Sequence, residues 1–461
     1  MKLKNIIAVL FVTLSLASGC KKELQLEDPQ ALSPQDALAN DANIKKVLQG
    51  GYDAASSSNL WGGNLQLFPE LMGSNGELTW VGTFNNYREV WGKSLLTTNT
   101  LVSGTWASAY NVINIANGVI ANINKVNSGD QNRVKGEALF LRGAMHFELV
   151  RLYAKDFTDG SPTTNLGVPV VTTFTASTAD ITKPPRATVA AVYTQVITDL
   201  TEAETLLPAT NGVFATKAAA AAYLSRVHLQ KADYAGARDA ANRAITSATG
   251  KSLLPVFMNN FNQPANTVED IFAIQVNDQD GANNLQLFYS VDIFGARDGD
   301  IEVDPIHLAL YDAADQRRTV TTNPSASTVF NTAFYTKYGA YRTTKFRDLY
   351  RNVKVIRLAE MYLTRAEANY RLGTAVGDTP LNDVNRIRTR AGLPPLVAIS
   401  SVNDIYMERR KELAFEGFSL HDSKRFKRTI DGRVWSDNKL VFPIPFREIN
   451  ANSSLVQNPG Y

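Results

Sequence analysis

Between Thr216 and Thr246 the chain is rich in alanine and sets Leu224, His228, Tyr234, Ala237, Ala241 and Ala244 at the spacings of a tetratricopeptide repeat. Small residues at these points let two short helices approach closely, and the apolar face of such a pair is covered only by a neighbouring pair. This segment commits the chain to a stacked helical array. A second stripe, Val134, Ala138, Leu141, Met145, Leu149 and Leu152, advances by three or four residues at each step and predicts a core helix. Ser33-Pro34 marks a first helix start, leading into 37–52, and helical periodicity recurs over 104–125, 189–207, 353–372, 379–390 and 402–426. The reading is a mainly α fold in which tetratricopeptide-like helix pairs form a scaffold, chiefly over 104–249 and 353–428, inside one domain spanning 35–461.

Segments 56–100 and 250–343 have a different character, rich in Gly, Asn, Asp and aromatics, and read as loop-rich binding segments carried on that scaffold. Four of the five tryptophans, Trp61, Trp80, Trp91 and Trp106, fall between residues 61 and 106, interleaved with Phe84 and Tyr87. A sugar ring presents an apolar C–H face and a polar rim, so its site needs a flat aromatic beside carboxylates, carboxamides or guanidinium groups. The candidate ligand residues are Trp80, Phe84 and Tyr87 with Asn75, Glu77 and Arg88, joined by Trp61. A second patch, Phe288-Tyr289 and Phe294 to Arg297, adds Tyr289 and Phe294. Trp106 sits in a helical pattern and is assigned to the core. Carboxamides and aromatic pockets would serve an extended peptide as well as a glycan, and helical arrays also bind protein partners, so a peptide binder and an interaction adaptor stand as alternatives.

Other functions lack their parts. The formal charge is only +3, and the densest basic run, Lys424, Arg425, Lys427 and Arg428, is short, which argues against nucleic acid. His146, His228, His307 and His421 are scattered without a second ligand at helical spacing, so no zinc site is expected. Neither Asp278-x-Asp280-Gly281 nor the Asp298 to Asp304 run completes a calcium loop. There is no G-x-S-x-G, P-loop or dinucleotide fingerprint. No catalytic residue, metal or cofactor is assigned. Arg357, Glu360, Arg365, Glu367, Arg409, Arg410 and Glu412 are spaced for ion pairs three and four residues apart along helices and read as structural.

The start of the chain has the layout of a secretory signal: Lys2 and Lys4, an apolar run from Ile6 to Leu16, then Ala17-Ser18-Gly19 before Cys20, the only cysteine. It resembles a bacterial lipobox, with Ala17 where the usual leucine stands. Residues 1–19 are expected to be removed, Cys20 to carry the lipid, and 20–34 to form anchor and tether.

Several longer motifs accompany these: Trp106-x-x-x-Tyr110 with Ala116-Asn117, Gly136-Glu137-Ala138-x-Phe140-Leu141-Arg142-Gly143-Ala144, and Gly167-Val168-Pro169. Arg357-Leu358-Ala359-Glu360-Met361-Tyr362, Asn385-x-Ile387-Arg388-x-Arg390-Ala391-Gly392 and Glu408-Arg409-Arg410-Lys411-Glu412-Leu413-Ala414-Phe415-Glu416-Gly417 follow, before a closing Gln457-Asn458-Pro459-Gly460-Tyr461. In this order they resemble the SusD/RagB family of outer-membrane lipoproteins. The resemblance implies a cell-surface protein, lipid-anchored in the outer membrane and facing outward. It would bind oligosaccharides, or in some branches peptides, without changing them, and deliver them to a SusC-like TonB-dependent transporter.

Overall fold

The computed structural model describes residues 33–322 and 332–461, so the expected signal peptide, Cys20 and the tether up to residue 32 lie outside the described residues. Ser33 does open a helical turn, Pro34–Ala37, its hydroxyl accepting from the Asp36 amide. The architecture is mainly α, with sixteen helices and seven short strands among the described residues.

The first part of the scaffold contains α1 (Asp41–Ser56), α2 (Asn64–Met72), α3 (Asn85–Trp91), α4 (Thr100–Ala121), α5 (Gln131–Tyr153), α6 (Val189–Leu206), α7 (Lys217–Gln230) and α8 (Tyr234–Ser247). From α4 to α8 each helix packs on the next. The alanine-rich stretch forms the pair α7–α8 as its spacing requires. Ala218 to Ala222 and Ala237, Ala240, Ala241 and Ala244 are all buried, and their methyl-sized side chains permit the close approach. Thr216 and Asp233 cap the two helices through their side-chain oxygens. Nearly all of α5 is buried, and its Arg142 is held by both carboxylate oxygens of Asp199 on α6 and by Asn117 on α4. After a short helix α9 (Asn284–Tyr289), the second part of the scaffold consists of α10 (Leu358–Leu372), α11 (Pro380–Arg390), α12 (Val402–Glu412) and α13 (Ser419–Arg425). Helix α10 packs on α8 and carries α11 and α12, which joins the two scaffold stretches.

Three stretches differ from the periodicity reading. Segment 56–100 contains α2 and α3; every residue of α2 is buried, so it lacks the polar stripe that marks a helix in sequence. Residues Val353–Arg357 form a strand, β7, rather than the first turn of a helix; its β-branched residues Val353, Val355 and Ile356 favour a strand, and all five positions are buried. The expected helix 402–426 is broken into α12 and α13 at a turn where Phe415 and Gly417 take positive φ of 69° and 87°. A side chain on Gly417 would lie 2.9 Å from the Gln66 backbone.

Strand β7 pairs antiparallel with β2 (Asp270–Ile274). The second sheet has the order β1 (Leu78–Trp80), β3 (Ile301–Val303), β6 (Ala340–Thr343), β5 (Phe334–Lys337) and β4 (Val320–Thr321). It ties segment 56–100 to segment 250–343, because Leu78, Thr79 and Trp80 lie opposite Val303, Glu302 and Ile301.

The signature arginines and glutamates are indeed paired, mostly between elements; Glu367 with Arg371 is a pair along one helix. Arg357, at the end of β7, reaches Glu269, Glu412 and both oxygens of Glu416. Arg390 shares Glu269 and Glu412, and Arg317 meets Asp315, Glu408 and Glu412. Arg226 pairs with Glu360, Arg365 with Asp383, Arg409 with Asp422 and Arg425 with Glu367. Side chains spaced for a helix surface are used here as ties between buried elements.

Candidate functional site

After Trp80 the chain leaves β1 alongside the residue that precedes β3: the amides of Val81 and Gly82 both donate to the Asp300 carbonyl, at 2.9 and 3.3 Å. A Cβ at residue 82 would lie 2.5 Å from the Asp300 carboxyl carbon, so only glycine allows this approach. The crossing turns Thr83 and Phe84 outward just before α3 begins. Arg297 then bridges the two segments, donating to Asp300 Oδ2 at 2.8 Å and to Thr83 Oγ1 at 3.1 Å, with its guanidinium 4.4 Å above the Phe84 ring. Phe84 remains 45% exposed, and Val81 beside it is equally so.

Beneath Phe84 lies an aromatic stack. Trp80 and Tyr87 are nearly parallel with centroids 4.9 Å apart, and Phe288 from α9 stands 4.6 Å from Tyr87, 5.4 Å from Trp80 and 6.1 Å from Phe84. The Tyr87 hydroxyl donates to Asn64 Oδ1 and accepts from Asn284 Nδ2, and burial pushes its pKa well above the ordinary value. Around the exposed ring stand Thr83, Asn85 and Arg88, the last tied to the Gly82 carbonyl at 2.7 Å. The 292–300 loop also reaches a second aromatic: Tyr338, 58% exposed, donates its hydroxyl to Asp292 at 2.8 Å. Tyr338 and Gly339, both at positive φ, form the two-residue turn between β5 and β6. The Phe84 face carries one exposed aromatic ring and several polar groups, the two kinds of contact a sugar ring requires.

The expected ligand residues are only partly brought together here. Phe84 and Arg88 are on the face. Trp80, 1% exposed, and Tyr87 support it from below and are not themselves a platform; this corrects the expectation that they contact ligand. Trp61 and Tyr289 are core residues as well. The Trp61 indole donates to the Tyr223 hydroxyl, and the Tyr289 ring lies between Phe346 and Phe415. Large aromatics bury more apolar area than any other side chain, and that gain outweighs the polar composition of the surrounding sequence. Phe294 is half-buried against Tyr335, with Arg347 over its ring. Asn75 and Glu77 point elsewhere. Asn75 accepts from the Asp431 amide, and Glu77 pairs with His307 and Arg410 in the interior. Sequence reasoning missed the exposed Val81 beside Phe84.

Glu77 lines a small enclosed cavity together with Glu70, His307, Arg409, Arg410 and Asp422. About 30 Å³ is free inside, room for a water or two and not for a sugar. Burial lowers His307 to about 3, with Lys345 adding to the shift, so the ring is neutral at ordinary pH. Glu70 accepts from the amides of Gly417, Phe418 and Ser419, which fixes the turn between α12 and α13. Burial nevertheless pushes its carboxyl up to about 7. The folded chain then holds a proton that the unfolded chain releases above about 4.5. The stabilisation is therefore full below about pH 4.5 and is lost as pH rises through about 7, a change of about 3 kcal/mol. Glu70→Gln keeps the acceptor and cannot ionise. Urea unfolding at several pH values is expected to show wild type losing about 3 kcal/mol relative to this variant between pH 4.5 and 7. A constant difference would show that Glu70 does not titrate there.

Among the described residues no group of three or more His, Cys, Asp or Glu is placed to hold a metal ion, and no helix is long and apolar enough to cross a membrane.

The chain has relatives of known family. A family model described as starch-binding and associating with the outer membrane matches residues 24–229, and the SusD family model matches residues 310–441. The chain belongs to the SusD/RagB family. A SusD-like protein of Formosa agariphila is 27% identical over the full length of both chains. The starch-binding protein SusD of Bacteroides thetaiotaomicron is 34% identical over 123 residues, 24% of this chain and 22% of that one. Among solved structures, a SusD superfamily protein from Bacteroides thetaiotaomicron superposes with a TM-score of 0.77 at 25% identity, covering 93% of this chain and 100% of that one. A SusD-like carbohydrate-binding protein from Bacteroides vulgatus gives 0.76 at 24% identity, over 90% and 97% of the two chains. These SusD-family neighbours share the mainly α, tetratricopeptide-like scaffold.

Proposed function

We propose that this SusD-family chain captures oligosaccharides at the Phe84 face and passes them, chemically unchanged, to a SusC-like TonB-dependent transporter in the outer membrane. The observation that carries the reading is the half-exposed Phe84 ring, held by Arg297 above and by the Trp80–Tyr87–Phe288 stack below. A ring fixed in this way loses little entropy on binding, so its contact with the apolar face of a sugar is not offset by ordering. Thr83, Asn85, Arg88 and Arg297 supply donors and acceptors for hydroxyl groups. The starch-binding and carbohydrate-binding descriptions of its relatives support the same ligand class. In this reading Cys20 carries the lipid that holds the domain on the outer face of the membrane, and the chain is not an enzyme.

Calorimetric titration of the domain from residue 33 onward with a panel of oligosaccharides and of peptides tests the proposal, followed by chromatography of the recovered ligand. The expected result is saturable binding of an intact glycan that weakens about tenfold, some 1.4 kcal/mol, in Phe84→Ala and in Arg297→Ala. Peptide binding without a sugar response would transfer the same face to a peptide-importing role. Conversion of the ligand to products would overturn the non-enzymatic reading.

A further inference from the structure

A second cleft lies away from the Phe84 face, between the C-terminal end of α1, the 211–215 loop and the end of β2, with about 240 Å³ of open space. Its apolar walls are the Tyr52 and Phe214 rings, 4.9 Å apart and tilted by 52°. These walls are fixed from behind. The Tyr52 hydroxyl accepts from the Ala215 amide at 3.1 Å, and Asn211 closes the loop onto the Ala215 carbonyl at 2.9 Å. The opposite rim is an Asx turn in which Asp280 Oδ2 and Asn277 Oδ1 accept from backbone amides, and among the described residues the Asp280 carboxylate makes no ion pair. Asp53, also on the rim, is exposed, and its carboxylate makes no ion pair among the described residues. Among the described residues, Asp53 and Asp280 are the only ionisable acids or bases lining the cleft apart from the Tyr52 phenol, and no lysine, arginine or histidine lines it.

We infer that this cleft binds a primary ammonium group carried on a small organic framework, independently of the site at Phe84. Two rigid aromatic walls attract a cation through their ring faces. Two carboxylates without a protein cation provide the charge-assisted hydrogen bonds that a neutral ligand would leave unused. The shared chemistry could come from an amino sugar or from the amino terminus of a peptide, and the experiment separates the two.

The full chain is titrated calorimetrically with glucosamine trimer, its fully N-acetylated counterpart, a tripeptide with a free amino terminus and the same tripeptide N-acetylated. The inference expects saturable binding of at least one free amine, at least tenfold weaker binding of its acetylated partner, and about a tenfold loss in Asp53→Asn and in Phe214→Ala. The same titrations are repeated in Phe84→Ala, where any glycan capture at that face is weakened; the preference for the free amine over its acetylated partner persists there, which distinguishes failure of this inference from failure of the glycan reading. Binding of the trimer alone assigns the cleft to amino sugars, and of the tripeptide alone to peptide termini. No binding of either amine, equal binding of the acetylated forms, or indifference to Asp53→Asn in a variant with wild-type circular dichroism would overturn it.

Discussion

Arg357→Leu lowers the stability of the fold by about 3–5 kcal/mol in urea unfolding, the cost of removing one partner from a buried ionic group. The guanidinium is buried and satisfies Glu269, Glu412 and Glu416 together, carboxylates contributed by two distant stretches of the chain. Leucine fills much of the volume and leaves those charges in a low-dielectric interior. Arg357→Lys retains the charge, loses the planar fork and is expected to cost less. The same variant changes the acid limb of stability. Burial alone would raise the Glu412 carboxyl, but Arg390, Arg357 and Arg317 outweigh it and hold it well below the usual carboxylate range; Arg357 and Lys345 do the same for Glu416. With folded values depressed, their contribution is present above the unfolded value of about 4.5 and is lost as pH falls below it. In Arg357→Leu the loss between pH 5 and 3 is expected to be shallower than in wild type. An equal slope would place the acid sensitivity elsewhere.

Trp80→Ala and Phe84→Ala separate support from contact. Trp80 is buried against Tyr87 and Phe288, so truncation opens a cavity and costs about 3–5 kcal/mol of stability. Phe84, half exposed, is expected to change stability by no more than about 1 kcal/mol while carrying the larger loss of binding. Paired urea unfolding and calorimetry on the two variants check this. If Trp80→Ala is fully stable and only binding falls, the indole reaches ligand and the buried-stack account is wrong.

The scaffold was legible in the sequence because its helices obey a local rule. The alanine pattern at 216–246 produced α7 and α8, and the stripe from Val134 to Leu152 produced α5. Within the aromatic-rich stretch, Phe84 and Arg88 are exposed, as a ligand-contacting residue must be. What was not legible was which rings would be covered. Trp80 is buried by Phe288, more than two hundred residues away, and Glu77 is drawn inward by His307 and Arg410. No periodicity within segment 56–100 carries that information, since burial there is decided by β1–β3 pairing. The strand at Val353–Arg357 was absorbed into the helix after it for a similar reason: a five-residue stretch with three apolar positions bears no sign of its partner, β2.

The most direct test of the central claim is a crystal structure of the domain with the tightest-binding oligosaccharide from the panel. The account predicts a sugar ring against Phe84, with hydroxyl groups within hydrogen-bond reach of Arg297, Arg88 or Asn85 and with Trp80 still covered. A glycan seated elsewhere, with the Phe84 face empty, would contradict it.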